Sequence, residues 1–212
     1  MTAIPSASMS LSQLPIAWGV SSIAFGAAAE TGDLHVVVPC AQTVLVAAID
    51  GLGHGREAAL AARAAAAVLE RHGDEPLIEL MQRCHADLRR TRGVALSMAS
   101  FDLRASTMTW LGVGNVEGVL FRADRSQGSR RDSLMPRGGV VGYRIPSLRP
   151  AELHVGGGDV LVFATDGVRT SFSACAPVNL DSQEAADAIL ARYGKETDDA
   201  LALVVRYLGQ PL

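Results

Sequence analysis

Aspartates beside glycine at the ends of apolar runs are the residues of this chain best suited to chemistry. Asp50 closes the apolar run 43–49 and is followed by Gly51-Leu52-Gly53-His54-Gly55. Asp166 stands just past the run 160–164 and precedes Gly167. Asp33 opens a run after Thr31-Gly32, and Asp198-Asp199 open the last one. A carboxylate at the end of a buried strand sits on rigid backbone, and a neighbouring glycine lets a ligand or another segment come close. A single Asp-Gly reads equally as a turn; it is the repetition of the pattern that points to a site. Four such carboxylates gathered together repel unless cations offset them. All-oxygen donors suit Mg²⁺ or Mn²⁺. Two such ions about 3.5–4 Å apart can activate a water and stabilise in-line displacement at phosphorus.

Other chemistries fit less well. The glycines after Asp50 suggest a nucleotide phosphate loop, but the dinucleotide fingerprint needs glycine where Arg56 stands, and no Gly-Lys-Ser/Thr follows. Asp50 would also aim negative charge at the phosphates. His54 has no second histidine at a helical or hairpin spacing, which leaves it a supporting role rather than a zinc site. Cys40, Cys84 and Cys175 are far apart and form no Cys-x-x-Cys pair, so neither a disulfide framework nor a thiolate metal site is expected.

These aspartates need a scaffold, and the composition supplies one. Hydrophobic residues make up 49% and charged residues 19%, enough apolar side chain to exclude a disordered chain. A length of 212 residues fits one domain, here 16–212, behind a disordered tail 1–15. Strands are expected at 16–25, 34–38, 43–49, 94–102, 107–113, 116–122, 151–155, 160–164 and 200–207. Helices are expected at 55–71, from about 76 to 92, and at 182–193. Residues 124–138 read as a polar, Arg-rich loop. Strands and helices arrive in blocks, which favours α+β with stacked antiparallel sheets over a doubly wound parallel sheet.

The net charge of −3 argues against a nucleic-acid-coating protein. Residues 122–149 nevertheless hold seven arginines against Asp124 and Asp132, a +5 segment on an acidic body. Arg130, Arg131 and Arg137 are its candidate substrate contacts. The N-terminus lacks the basic and apolar regions of a signal peptide, and no apolar run approaches the roughly 20 residues that span a bilayer. A cytoplasmic protein without a membrane partner is expected.

The residues 48–59, Ala-Ile-Asp-Gly-Leu-Gly-His-Gly-Arg-Glu-Ala-Ala, resemble the Asp-Gly-x-Gly-His-Gly-x-x-Ala motif of the SpoIIE-type, protein phosphatase 2C-like bacterial serine/threonine phosphatases. Gly32-Asp33, Gly112-Val113-Gly114-Asn115, the stretch 157–168 around Asp166-Gly167 and Asp198-Asp199 are similar to its other motifs, in order. The resemblance implies a four-layer α/β/β/α sandwich and a phosphatase dependent on Mn²⁺ or Mg²⁺, with two ions. It implies Asp33, Asp50, the Gly51 carbonyl, Asp166 and Asp198 as metal ligands and catalytic residues, with Asp199 as second choice to Asp198. His54, Gly167 and Asn115 would support them. The lack of attached sensor domains is similar to the stand-alone stressosome phosphatases of the family. It implies phosphorylated STAS-domain proteins of a stressosome or partner-switching module as partners. A catalytically weak or inactive binding regulator with the same fold is the alternative. The chain departs from the family pattern at Leu52, at Arg169-Thr170-Ser171 and at Leu201, which leaves the proton donor unassigned, with metal-bound water and His54 as the groups that could serve.

Overall fold

The side chains of residues 44–49 alternate between two separate hydrophobic cores, so their strand is covered on both faces. Val44, Val46 and Ala48 enter one core, while Leu45, Ala47 and Ile49 enter the other. This is the period-two geometry of a central strand. The computed structural model describes residues 14–25, 30–124, 131–174 and 178–209. The expected tail lies outside them as far as residue 13, as do Arg130 and Cys175. Leu14 and Pro15, expected in that tail, are instead packed: Leu14 is buried, and the Pro15 carbonyl accepts from the Leu208 N–H at 2.8 Å.

Ten strands and three α-helices are formed among the described residues. In chain order they are β1 (Ile16–Ile23), β2 (Asp33–Pro39), β3 (Thr43–Gly51), α1 (Arg56–His72), α2 (Leu77–Asp87), β4 (Val94–Asp102), β5 (Thr107–Val113), β6 (Glu117–Phe121), β7 (Arg131–Leu134), β8 (Ala151–His154), β9 (Val160–Ala164), α3 (Ser182–Tyr193) and β10 (Ala200–Tyr207). One sheet has the order β1-β10-β9-β6-β7 and the other β2-β3-β4-β5-β8. Every pairing is antiparallel.

The sheets face each other across a core that includes Val46, Phe101, Trp110, Phe163, Leu203 and Tyr207. Helices α1 and α2 cover the outer face of the β3 sheet, and α3 covers the outer face of the β10 sheet. The result is the expected α/β/β/α sandwich. Helix α1 presents a broad alanine face, Ala58, Ala61, Ala62 and Ala65, which lets its backbone lie close to the sheet.

One detail differs from expectation and one adds to it. The segment read as a polar loop contains β7, an edge strand paired with β6 in which Leu134 alone is fully buried. The glycine-rich turn at 156–159 joins strands of different sheets, since β8 pairs with β5 and β9 with β10 and β6.

Candidate active site

Side-chain parity decides which aspartates meet. In β3 the even residues point between the sheets, and Asp50 continues that series. Asp33 is its register partner on β2 and points the same way. Leu161 and Phe163 of β9 enter the inter-sheet core, and Thr165 extends their row. Leu201, Leu203 and Val205 do the same on β10, with Asp199 at the head of the row. Asp33 and Asp50 from one sheet thus face Thr165 and Asp199 from the other, at one end of the seam. Asp166 and Asp198 lie one residue out of phase beside them.

A cleft of about 310 Å³ opens there, lined by Phe25, Asp50, Leu52, Gly53, His54, Asn115, Asp166, Thr197 and Asp198. Asn115 lies between β5 and β6, where the chain passes from one sheet to the other. Its Nδ2 donates to Asp166 Oδ2 at 2.7 Å. Asp33 is buried behind the cleft and accepts from the Thr165 hydroxyl at 2.7 Å.

The two adjacent aspartates of the closing motif have different surroundings. Asp198 lines the cleft. Asp199 is buried, and its two oxygens accept the backbone N–H groups of Phe25 and Gly32, each at 2.7 Å. Asp199 therefore ties the end of β1 and the entry to β2 onto β10. Both of its oxygens already hold donors, which makes it a poor candidate ligand beside Asp198.

The glycines after Asp50 and Asp166 are set by close packing. A Cβ on Gly51 would fall 2.2 Å from the Ala58 carbonyl oxygen of α1. A Cβ on Gly167 would fall 1.9 Å from the Asp199 carbonyl oxygen. Each Asp-Gly is the place where another element reaches the strand end, and any side chain there would push it away.

The electrostatics follow from the crowding. Burial, and then the charges of Asp33, Asp166, Asp198 and Asp199, push Asp50 up to about 8. Burial is again the largest cause at Asp33, opposed by the Thr165 hydrogen bond and reinforced by the neighbouring carboxylates, and brings it to about 7. Without cations the bare cluster resists full ionisation. Among the described residues, no group of three or more His, Cys, Asp or Glu side chains is preassembled around one ion position. The donors are all hard oxygens from two sheets, with excess negative charge, and they fit Mg²⁺ or Mn²⁺ rather than zinc.

Other expected contacts fall in different places. His54 lines the cleft, and Gly167, next to Asp166, packs against the Asp199 carbonyl. The Arg137 main chain is bonded to Gly112 and Gly114, but Arg137 lines a separate hollow with Trp110, Arg131 and Met135 and not the aspartate cleft. Arg131 pairs with Phe121, at the end of β6 away from the aspartates and roughly 13 Å along the strand from Glu117. Part of the +5 segment is already neutralised. Arg122 bonds Asp132 Oδ2 at 2.7 Å and Asp159 Oδ2 at 3.0 Å, at the far end of the sandwich. No sequence pattern marks Thr165 or Lys195 as site residues. The Lys195 ammonium donates to the Asp166 carbonyl, a contact across 29 residues that spacing alone does not signal.

Two facing antiparallel sheets with helices outside, and aspartates at one end of the seam, define the PP2C-type phosphatase class. The family model for Stage II sporulation protein E (SpoIIE) matches residues 41–208, and the chain belongs to that family. With it the chain is a protein serine/threonine phosphatase.

Solved structures are similar over nearly the whole chain. A chain from work on the bacterial stressosome, as a modular system adapted to control secondary messenger signalling, is 27% identical with a TM-score of 0.80; the match covers 90% of this chain and 99% of that one. RsbX in complex with magnesium is 19% identical with a TM-score of 0.77, covering 90% and 94%. The catalytic domain of the serine/threonine protein phosphatase PstP with two manganese ions is 13% identical with a TM-score of 0.64, covering 90% and 97%. No curated protein matches the chain.

Proposed function

We propose that this chain removes phosphate from serine or threonine of a regulatory partner, a STAS-domain protein of a stressosome or partner-switching module, in the cytoplasm. The observation that carries this reading is the meeting of Asp33 and Asp50 from one sheet with Asp166 and Asp198 from the other. Two divalent ions bound there would neutralise the carboxylates, acidify and orient an attacking water, and offset charge on the phosphoryl group. Asp33, Asp50, Asp166, Asp198 and the Gly51 carbonyl are the assigned ligands. Asn115 orients Asp166, Thr165 orients Asp33, and Asp199 holds the backbone around them. The likeness to a stressosome chain and to RsbX supports the choice of partner. Among the described residues no helix is long and apolar enough to cross a membrane.

The test is hydrolysis of phosphorylated STAS proteins by the full chain with Mn²⁺, with Asp50→Asn and Asp166→Asn beside it. Both variants should lose at least about two orders of magnitude in turnover. Wild-type turnover in either, at saturating Mn²⁺, would end the proposal. The alternative is a phosphatase-fold regulator without catalysis. Calorimetric titration with Mn²⁺ separates the two, because such a regulator binds the ion weakly or without hydrolysis.

A further inference from the structure

A cation that no motif marks lies beside Gly53, one of the residues lining the aspartate cleft. Arg92 precedes Gly93, whose carbonyl accepts from the Leu52 N–H at 3.1 Å. The turn before it is also fixed. The Thr91 hydroxyl donates to the Leu88 carbonyl at 2.8 Å and accepts from the Gly93 N–H at 3.0 Å. The start of the Arg92 side chain is therefore held against the Leu52-Gly53 turn.

Its guanidinium lies over Gly53. A Cβ on Gly53 would come within 2.8 Å of Arg92 Nη1, and the φ of +88° there already disfavours a side chain. Gly53 thus both makes the turn and leaves room for the guanidinium at the lining of the cleft. Arg92 is half exposed and pairs through Nε with Glu57 at 3.4 Å, with Glu57 itself 70% exposed. An exposed pair of that length is weak and easily exchanged for a better partner.

The residues lining the cleft include three carboxylates and no lysine or arginine. Lys195, on the far side of Asp166, has its ammonium directed at the Asp166 carbonyl. With two divalent ions offsetting the aspartates, a phosphate monoester dianion still brings charge of its own, which a positive group of the protein beside the ions would help to hold. A guanidinium meets phosphate oxygens with paired N–H donors, which is the geometry such a group requires.

We infer that Arg92 is a phosphate-binding residue, holding the substrate's phosphoryl oxygens at the Gly53 wall of the cleft. This deepens the phosphatase reading above and rests on it. Arg92 acts on binding of the phosphate dianion, while the carboxylates hold the ions.

The experiment compares wild type, Arg92→Ala and Arg92→Lys as full chains with Mn²⁺. It reads kcat and KM on a phosphoprotein, competitive inhibition by inorganic phosphate, and Mn²⁺ affinity by calorimetry. Arg92→Ala should raise KM and the phosphate inhibition constant by about tenfold, with a smaller change in kcat. Arg92→Lys should recover part of the loss, since it restores charge without the fork, and Mn²⁺ affinity should stay unchanged. An unchanged phosphate constant in Arg92→Ala would overturn the inference, even with wild-type catalysis intact. A loss of Mn²⁺ affinity equal to the loss of phosphate binding would also overturn it, by showing that Arg92 supports the ion site. A wild type that hydrolyses nothing would instead sink the phosphatase reading, and direct calorimetry with inorganic phosphate on the same variants would then judge Arg92 alone.

Discussion

The hydroxyl of Thr165 donates to Asp33 Oδ2 at 2.7 Å, and this bond runs from one sheet of the sandwich to the other. The same oxygen accepts from the Leu201 N–H at 2.8 Å, so Thr165 is committed on both sides. The hydroxyl thereby fixes the direction of a buried carboxylate that has a like charge opposite it. Thr165→Val should cost about 1–3 kcal/mol of stability, because a buried acceptor and a buried donor lose their partner. It should also weaken Mn²⁺ binding by about 10–100-fold, as loss of an orienting contact does at metal sites. Thr165→Ser should keep most of both. Chemical denaturation and calorimetry check the two losses, and a Val variant with wild-type Mn²⁺ affinity would show that Thr165 only packs.

Asp198 and Asp199 should separate cleanly. Asp199→Ala strips the partners from two backbone N–H groups, at Phe25 and Gly32, and should cost about 2–5 kcal/mol. Asp198→Ala should leave stability within about 1 kcal/mol and abolish turnover. Thermal melts beside phosphatase assays read the difference. The reverse pattern would mean that the ligand is Asp199.

Metal-free protein should become less stable as pH rises. Asp33 and Asp50 stand at about 7 and 8 in the fold against 3.8 unfolded. The folded state therefore binds protons that the unfolded state has released. Their contribution is fully present below about pH 4 and is lost as pH climbs through 7 and 8. In chelator, the melting temperature should fall between pH 5 and pH 8.5, and saturating Mn²⁺ should remove most of that fall. A melting temperature that rises over this window in chelator would refute the crowding.

The glycine after the second aspartate should tolerate nothing larger. Gly167→Ala sets a methyl 1.9 Å from the Asp199 carbonyl oxygen and should cost more than about 3 kcal/mol or prevent folding. Gly138, with no atom within 4 Å of a built Cβ, is the matched control, and its alanine variant should be close to neutral. Expression yield and urea denaturation of the pair test this.

The sandwich was legible because its long strands carry their own evidence. Residues 94–102, 107–113, 160–164 and 200–207 are dense in apolar and β-branched side chains, and the observed strands match those bounds. Strand β7 was not legible, since Arg-Asp-Ser-Leu at a sheet edge has no period-two apolar pattern to detect. The aspartates were visible through their glycine neighbours and their positions at the ends of runs. What separates Asp198 from Asp199 is the phase of β10, which sends odd residues inward. That phase could be counted from the sequence, but not the two backbone donors that await Asp199 there. Thr165 and Arg92 work through contacts with distant segments, and no local pattern encodes those.

Strand β9 has an aspartate at each end, and among the described residues only Asp159 is paired with a cation. Asp159, before the strand, accepts from Arg122, from the Ala123 N–H and from the Gly156 N–H. Asp166, after it, joins a group of carboxylates with no such match. The molecule is therefore electrically one-sided along its length. One pole is self-contained and should respond little to chelator or to divalent ions. The other depends on what the surrounding solution supplies, so ionic conditions act on this protein chiefly at the pole where its chemistry lies.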